Sequence, residues 1–338
     1  MTAIASGPDL HSVARLTELA DYVIPFALRA ACDLRIADHL ADGPRSVADL
    51  AAATGTRPRA LLRVLRALAA RGVFTEGPPE TFALTALAEP LRSDHPRSLR
   101  EAYPLITADV QAWGHLDHSL RTGRAAFDEA HNVDYWTHMQ RHPADGARFD
   151  ASQRAVSRRE IKALLPAYDW GSFRTVVDVG GGNGTFLAAL LAEYPHLSGV
   201  LFDQPHVVSS SGPVLAERGV SDRCTVLGGD FRTEVPAGGD GYVIKRALYD
   251  LDDPGAEEVL RAIRAAIRPD GRLLVIEPVV EPGDEFDWGK LYDVLLMVMR
   301  GGGSRSREEL TALFGRTGFR LERVLRPKGL PIVEARPI

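Results

Sequence analysis

A glycine-rich turn between an apolar segment and a helix-forming segment is the feature that most constrains how this chain can fold. Residues 175–179 read Thr-Val-Val-Asp-Val, residues 178–184 read Asp-Val-Gly-Gly-Gly-Asn-Gly, and residues 185–190 read Thr-Phe-Leu-Ala-Ala-Leu. An apolar strand, a glycine turn and a helix in this order are typical of a doubly wound parallel sheet. Glycine lets backbone N–H groups approach a ligand at the start of the helix, where a side chain would block them.

The residues around this turn favour S-adenosylmethionine (SAM) over a dinucleotide as the ligand. Thr185 stands where the dinucleotide fingerprint has its last glycine, and Asp178 precedes the turn, where a carboxylate suits a zwitterionic amino-acid group. Two more acidic residues, Asp203 and Asp230, follow the next apolar segments. Three carboxylates at the tips of neighbouring strands would repel a pyrophosphate, so we expect SAM rather than NAD.

Each later position in this group has a predicted role. Asp203, at the end of residues 199–203, can accept hydrogen bonds from both ribose hydroxyl groups. Residues 224–230 are predicted to form a strand that ends at Asp230, which can accept from the adenine amino group while Phe231 stacks on the ring. Lys245 brings a cation to the same edge of the sheet. Any one of these aspartates alone would more often be a helix cap or a loop carboxylate, but the three together favour the ligand site.

Composition narrows the class of protein. The 338 residues are enough for two domains, and the net charge of −5 does not point to a nucleic acid or an anionic membrane as partner. Two cysteines, Cys32 and Cys224, are too few for a disulfide framework. Because residues 1–8 lack the features of a signal peptide and no apolar run is long enough to span a bilayer, we expect a cytoplasmic protein.

The first hundred residues predict a winged-helix unit preceded by a buried helix. Residues 12–40 have apolar spacing around nearly the whole helix, so a partner subunit is the expected cover and a homodimer is predicted. Residues 46–50 and 59–71 are predicted helices separated by a turn, and residues 72–85 a short hairpin. An arginine stripe on the second helix, at Arg59, Arg63 and Arg66, raises the alternative of a SAM-responsive DNA-binding regulator. A solvated helix face is favoured over DNA binding, because acidic residues of the same domain offset the stripe.

Three parts of the chain follow from these patterns. Residues 1–98 are predicted to form the winged-helix dimerisation domain, residues 99–165 a helical, aromatic-rich linker that contributes to a substrate pocket, and residues 166–338 an α/β Rossmann-like SAM-binding domain.

The motifs together resemble the SAM-dependent small-molecule O-methyltransferases of the plant caffeate/isoflavone type and the bacterial polyketide-tailoring type. The resemblance covers nearly the whole chain and includes residues 168–170, 178–184, 229–231, 245–253 and 301–306. It implies a Rossmann-like domain and an N-terminal dimerisation domain that helps close the partner's active site. By this resemblance the SAM contacts are Asp178, Gly180, Gly182, Asp203, Asp230, Phe231 and Lys245, and the acceptor pocket draws on Trp113, Trp136, Met139, Trp288, Tyr292, Leu296, Met297 and Met299.

The chain departs from this family at the chemistry. Tyr249 stands where the family has its catalytic histidine, and Ser304 replaces the glutamate that orients that histidine, whereas the second supporting acid matches Glu277. A tyrosine with an ordinary pKa near ~10 is a poor base at neutral pH but a competent hydrogen-bond donor. Tyr249 and Glu277 are therefore candidate catalytic residues, with His118 and His138 as alternative proton acceptors. His138 and His142 have a ligand-like spacing, but no third ligand is evident and no metal is assigned.

The resemblance predicts an O-methyltransferase that acts on a small aromatic or polyketide-like natural-product intermediate, mainly by aligning the acceptor. An enzyme of the same fold that keeps SAM for other chemistry, as a hydroxylase, decarboxylase or pericyclase would, is the alternative. Loss of both members of the His–Glu pair is the observation that raises it.

Overall fold

A computed structural model describes residues 10–338 and divides the chain into two compact units. One contains the chain up to Ile106 together with Arg148–Ala155, and the other contains Thr107–Ala147 and Val156–Ile338. The helices are α1 (Leu10–Leu19), α2 (Val23–Asp33), α3 (Ile36–His39), α4 (Val47–Thr54), α5 (Pro58–Ala69), α6 (Thr107–Trp113), α7 (Leu116–Thr122), α8 (Ala126–His131), α9 (Tyr135–Arg141), α10 (Pro143–Leu164), α11 (Thr185–Glu193), α12 (Pro205–Val208), α13 (Ser211–Glu217), α14 (Asp253–Ala266), α15 (Trp288–Arg300) and α16 (Arg307–Arg316).

The second unit is built on a mostly parallel, seven-stranded sheet in the order β11-β12-β8-β7-β4-β5-β6. The strands of the chain are β1 (Arg45–Ser46), β2 (Phe74–Gly77), β3 (Thr81–Leu84), β4 (Thr175–Val179), β5 (Ser198–Asp203), β6 (Cys224–Gly228), β7 (Gly241–Lys245), β8 (Arg272–Ile276), β9 (Val279–Val280), β10 (Arg305–Ser306), β11 (Phe319–Leu325) and β12 (Ile332–Pro337). Strands β4 to β8 pair in parallel, and β12 is antiparallel to both β8 and β11. The chain reverses its direction of winding at β4, which lies between β5 and β7, and ligands of such sheets bind at that point.

Both faces of this sheet are covered, because alternate residues of its central strands pack into two different buried clusters. Val176 and Val243 belong to one buried cluster, whereas Val177 and Tyr242 belong to the other. Strands buried on both faces are expected for a parallel sheet with helices on each side. The predicted α/β Rossmann-like fold is confirmed.

In the first unit, a helix–turn–helix and a hairpin share one core. Leu61, Leu65 and Leu68, the predicted apolar stripe of α5, are all buried. The antiparallel strands β2 and β3 form the hairpin, and β1 pairs with β3. Arg66 forms an ion pair with Glu76 at 2.8 Å on the polar face of α5.

The prediction of a single apolar helix over residues 12–40 is wrong. The segment is three helices, because the Asp21 carboxylate caps the start of α2 by accepting from the Val23 and Ile24 N–H groups at 2.9 and 3.0 Å, and Arg35 before α3 has a φ of 55°. Helix α1 has no buried residue, so its apolar side chains face outward in the single chain. Among the described residues, no helix has both the length and the apolar character needed to cross a membrane.

Candidate active site

The glycine turn after β4 is tightly enclosed. Gly180, Gly182 and Gly184 have φ values of 69°, 62° and 80°, a region that L-residues rarely adopt. A Cβ on Gly180 would lie 3.1 Å from the Ala247 side chain and 3.4 Å from the Phe231 ring. The turn therefore needs glycine both for its backbone conformation and for the space beside it, and it delivers the chain directly into α11.

Asp178 is a buried carboxyl group beneath this turn. Both of its carboxyl oxygens are buried and lack a hydrogen-bond partner among the described residues. Burial raises the pKa of Asp178 to about 7, the Lys245 cation opposes the rise, and Asp203 adds to it. A carboxylate buried without a donor is costly, so this position is suited to a cationic N–H donor such as the ammonium group of SAM.

Asp203 and the residues after β6 lie along the same edge of the sheet. The Asp203 carboxylate accepts from the Gly182 N–H at 2.8 Å and from the Gln204 N–H at 2.7 Å, which ties the end of β5 to the glycine turn. Strand β6 ends at Gly228, so the expectation that it runs to Asp230 is wrong. Asp230 instead opens the next turn, accepting from the Arg232 N–H at 2.9 Å, and Phe231 lies against Gly180.

Lys245, at the end of β7, is held by α10. Its ammonium group donates to the Glu160 carboxylate at 3.0 Å and to the Ser157 hydroxyl at 3.2 Å. Burial lowers the pKa of Lys245, and the Glu160 carboxylate opposes this effect. The glycine cradle, the unpartnered Asp178 carboxyl and the Asp203 carboxylate together fit a ligand with an ammonium group and vicinal hydroxyls, as SAM has.

Tyr249 lies in a short turn just after β7. It is buried, its ring is nearly parallel to that of Tyr292 with 6.4 Å between centroids, and its hydroxyl makes no hydrogen bond with the described residues. Burial raises the pKa of Tyr249 above its usual range. The phenol is therefore protonated at neutral pH and can act as a donor but not as a base.

Three segments that are distant in sequence meet around Tyr249: the turn that carries Tyr249, the residue Glu277 after β8, and the glycine segment before β10. The Tyr249 backbone N–H donates to the Glu277 carboxylate at 3.0 Å, and its carbonyl accepts from the Gly303 N–H at 2.9 Å. The other Glu277 oxygen and the Ser304 hydroxyl are buried without partners among the described residues. Burial raises the pKa of Glu277 to about 8, against the effect of the Arg305 cation. Glu277 thus contacts the backbone of Tyr249 and not its phenol.

Next to Tyr249 lies a cluster of buried charged side chains, which the sequence alone did not reveal. The Arg246 guanidinium donates to Glu160 at 2.6 Å and to the Tyr292 hydroxyl at 3.1 Å. Arg300, at the end of α15, pairs with Asp250, and its guanidinium carbon lies 4.8 Å from the Tyr135 ring centroid and 4.7 Å from that of Trp136. The sequence offered one indication of this cluster: two charged residues, Arg246 and Asp250, lie within three positions of Tyr249.

Comparison with known proteins assigns the chain to a family. Residues 17–94 match the O-methyltransferase dimerisation domain and residues 113–320 match the O-methyltransferase domain. A phenazine O-methyltransferase, PhzM of Lysobacter antibioticus, is 42% identical over 325 residues, which are 96% of this chain and 95% of that protein. The chain belongs to the SAM-dependent O-methyltransferase family.

Solved structures agree with this assignment for the whole enzyme. The crystal structure of LaPhzM has a TM-score of 0.90 and 41% identity, covering 97% of this chain and 99% of that one. An O-methyltransferase from neocarzinostatin biosynthesis, NcsB1, solved with SAM and 2-hydroxy-5-methyl naphthoic acid, has a TM-score of 0.84 and 32% identity, with both chains fully covered. The enzyme is a SAM-dependent methyltransferase, and the comparisons give no better support to the non-methylating alternative.

The two alternative histidines of this methyltransferase have other partners. The His138 ring hydrogen-bonds to the Asp145 carboxylate at 3.1 Å and stacks on His142 with 3.9 Å between centroids. His118 lies 3.6 Å from the Glu129 carboxylate. No hydrogen bond or ring contact among residues 10–338 joins either histidine to Tyr249. Within the same described range, no group of three or more histidine, cysteine, aspartate or glutamate residues is placed to hold a metal ion.

The predicted acceptor residues are distributed over α15 and the helices before it. On α15, Leu296 and Met299 are buried, Tyr292 and Met297 are half-buried, and Trp288 is exposed with its ring edge against Phe286. On α6 and α9, Met139 is buried, whereas Trp113 and Trp136 are each 41% exposed. The contacts described above connect Tyr292 to Tyr249 and Arg246, and Trp136 to Arg300.

Proposed function

We propose that this methyltransferase transfers a methyl group to a hydroxyl group of a small, flat aromatic compound, such as a phenazine, a naphthoate or a polyketide-derived intermediate. The observation that carries the proposal is the stacked pair of Tyr249 and Tyr292 beside the buried apolar side chains of α15. Parallel aromatic side chains are a natural surface for a flat ring. The named acceptor classes of its relatives, phenazine and naphthoic acid, are of the same kind.

In this proposal the ends of the parallel strands bind SAM, which supplies a methyl group activated by a positively charged sulfur. Asp178 accepts from the ammonium group, and Gly180 and Gly182 leave room for the ligand beside the turn. Asp203 accepts from the ribose hydroxyls through lone pairs that its two backbone donors leave available. Asp230 and Phe231 hold the adenine, and Lys245 contributes the cation of the same edge.

The proposed role of Tyr249 is to orient the acceptor by hydrogen bonding. Its protonated phenol can donate to the acceptor oxygen, and the Glu277 carboxyl fixes the backbone that carries it. Alignment of two reactants can contribute ~7–11 kcal/mol, more than a general base usually does. His118 and His138 remain proposals for proton acceptance, although both side chains already contact a carboxylate.

The proposed acceptor pocket contains the apolar residues predicted from the sequence. Its members are Trp113, Trp136, Met139, Trp288, Tyr292, Leu296, Met297 and Met299. The exposed indoles of Trp113, Trp136 and Trp288 suit an aromatic surface that a bound ring or a second protein chain covers.

The proposed assembly is a homodimer formed through residues 1–100. The match to a dimerisation domain over residues 17–94 and the outward apolar face of α1 support it. The cytoplasmic location predicted from the sequence stays a prediction.

Formation of S-adenosylhomocysteine tests the proposed function. The enzyme would be incubated with SAM and a panel of hydroxylated phenazines and hydroxynaphthoates, and the products would be identified by mass spectrometry. We expect a mass gain of one methyl group with at least one acceptor, and its loss in Asp178→Asn. Intact SAM binding by calorimetry without methylation of any member of the panel would contradict the acceptor class.

A further inference from the structure

Arg246 is a buried cation that belongs neither to the proposed SAM contacts nor to the proposed apolar acceptor pocket. It directly follows Lys245 at the end of β7, and its side chain is only 9% exposed. Its φ of 57° places a non-glycine residue in the left-handed region, which is unfavourable for a residue with a Cβ atom. The Arg246 backbone N–H is held by the Ile276 carbonyl at 3.0 Å. A strained backbone at the end of a central strand is the kind of outlier that clusters at functional sites.

The contacts of the Arg246 guanidinium leave one of its three nitrogens without a partner among the described residues. One terminal nitrogen donates to Glu160 and the other to the Tyr292 hydroxyl, and the guanidinium carbon lies 5.2 Å from the centroid of the Tyr292 ring. Its Nε is buried and has no hydrogen-bond partner among the described residues. A buried donor without an acceptor is destabilising, and an acceptor atom of a bound molecule would remove this cost.

The charges that face Arg246 do not cancel. Lys245 and Arg246 share the single carboxylate of Glu160 on α10, while Arg300 on α15 pairs with Asp250. At Glu160 two cations therefore share one anion, and the aromatic side chains nearest Arg246, those of Tyr249 and Tyr292, are phenols. Burial raises the pKa of the nearby Glu277 carboxyl group to about 8, so Glu277 adds little negative charge at neutral pH.

We propose that Arg246 binds the acceptor as a phenolate and so selects aromatic acceptors with an acidic hydroxyl group. The proposal rests on the proposed function, because it names the ionisation state of the acceptor in that reaction. The Arg246 cation already favours the ionised form of a phenol at this position, since its charge opposes the rise in the pKa of Tyr249 that burial causes. A charge-assisted hydrogen bond to a phenolate is also stronger than one between neutral groups.

This role accounts for a site without the family's His–Glu pair. The acceptor releases its proton to solvent on binding, so no residue has to accept a proton during transfer. The phenolate oxygen then forms a bond to the methyl carbon as the carbon–sulfur bond breaks, and the electron pair of that bond goes to sulfur. The methylated product is neutral at this oxygen and loses its attraction to Arg246, which favours its release.

The ionisation state of a bound naphthol tests the proposal without turnover. Naphtholates absorb at longer wavelengths than naphthols, so a pH titration of 4-nitro-1-naphthol on the enzyme with S-adenosylhomocysteine reports its pKa when bound. We expect this pKa to lie about one unit below that of the free probe, a tenfold preference for the phenolate. We also expect tighter binding of the probe than of its uncharged methyl ether.

Two variants separate an electrostatic role from a structural one because they move the bound pKa in opposite directions. Arg246→Gln removes the cation and should return the pKa of the probe to its free value, whereas Glu160→Gln removes the counter-charge and should lower it further. Arg223→Gln is the matched control, since the Arg223 side chain donates, within the described part of the chain, only to the carbonyls of Leu191, Tyr194 and Leu197. It should leave the pKa unchanged.

Three outcomes would overturn the proposal: an unshifted pKa in the wild type, equal affinity for the probe and its methyl ether, or shifts of the same sign in Arg246→Gln and Glu160→Gln. Methyl transfer is measured separately as S-adenosylhomocysteine formation from SAM. Phenolate binding without any methylated product would refute the proposed function alone, whereas methylation without a shifted pKa would refute the role of Arg246 alone.

Discussion

At the scale of single residues, the ionisation of Asp178 couples the SAM site to the stability of the ligand-free enzyme. Its pKa is about 7 in the folded protein against an ordinary 3.8. Between these values the folded protein keeps a proton that the unfolded chain has lost, so the free energy of unfolding falls as the pH rises through this window. A group that we propose to bind SAM is thus a source of instability while the ligand is absent.

Asp178→Asn should therefore stabilise the ligand-free enzyme while it weakens SAM binding. At about pH 8 we expect the variant to be more stable by about 4 kcal/mol, and at about pH 4 the difference should fall below ~1 kcal/mol, because Asp178 is protonated in the folded protein there and about half protonated in the unfolded chain. Urea denaturation across this range measures the effect, and calorimetry measures the lost affinity. A wild-type stability that does not decline towards alkaline pH would show that Asp178 has another partner.

Tyr249→Phe tests whether the phenol orients the acceptor. Removal of one donated hydrogen bond should lower kcat/KM about ten- to thirtyfold, the equivalent of ~1–2 kcal/mol, without moving the pH at which the rate rises. Tyr242→Phe is the control, because the buried Tyr242 hydroxyl donates to the Pro236 carbonyl at 2.8 Å in the sheet core and should affect stability alone. A thousandfold loss together with a vanished alkaline limb would identify Tyr249 as a base after all.

At the scale of elements, the glycine segment between α15 and β10 holds the turn that carries Tyr249. A Cβ on Gly302 would collide with the Tyr249 carbonyl and the Asp250 backbone. Gly302→Ala should therefore displace Tyr249 and lower both stability and kcat/KM. Gly315→Ala in α16, where a Cβ meets nothing within 4 Å, should instead stabilise the protein by about 0.5–1 kcal/mol through helix propensity. Thermal melts and rates of the two variants compare them directly, and equal behaviour would remove this role of Gly302.

Local sequence pattern predicted the elements whose structure is decided locally. The β4 strand, its glycine turn and α11 follow from apolar runs and glycine conformations, and the buried stripe of α5 follows from its helical spacing. The breaks between α1, α2 and α3 depend on the Asp21 cap and on the left-handed backbone of Arg35. The prediction missed both breaks because it followed the apolar spacing, which continues across them. Local pattern alone misplaces such boundaries.

The buried charge cluster could not be predicted because its partners are distant in sequence. Lys245 and Arg246 meet Glu160 on α10 across 85 and 86 residues, and Arg300 meets Asp250 across 50. Nothing in the helical pattern of α10 marks Glu160 as buried, since it is the tertiary packing against the end of β7 that encloses it. The positions of Asp178, Asp203 and Lys245 at or near the ends of parallel strands were predictable from the apolar runs that precede them, whereas their hydrogen bonds were not. Their contacts with SAM stay a prediction.

At the scale of the whole molecule, the exposed face of α1 needs a cover that residues 10–338 of one chain do not provide. Leu16 and Leu19 are 66% and 67% exposed, and with Leu10 and Val13 they form an apolar face without a buried contact. Apolar faces of this kind mark sites of association. The match of residues 17–94 to a dimerisation domain makes a second copy of this chain the expected cover.

We therefore expect a dimer in solution with twice the chain mass of 36.7 kDa. An obligate dimer interface commonly buries more than ~2,000 Å², and a charge within it is destabilising. Leu19→Glu should shift the protein towards the monomer in light scattering and lower its melting temperature at low concentration. Ile338→Glu is the matched control, because Ile338 is 64% exposed at the other end of the chain and a charge there should leave the mass unchanged. A wild type that scatters as a monomer at micromolar concentration would contradict the homodimer, whereas a dimer unaffected by Leu19→Glu would place the interface on another surface than α1.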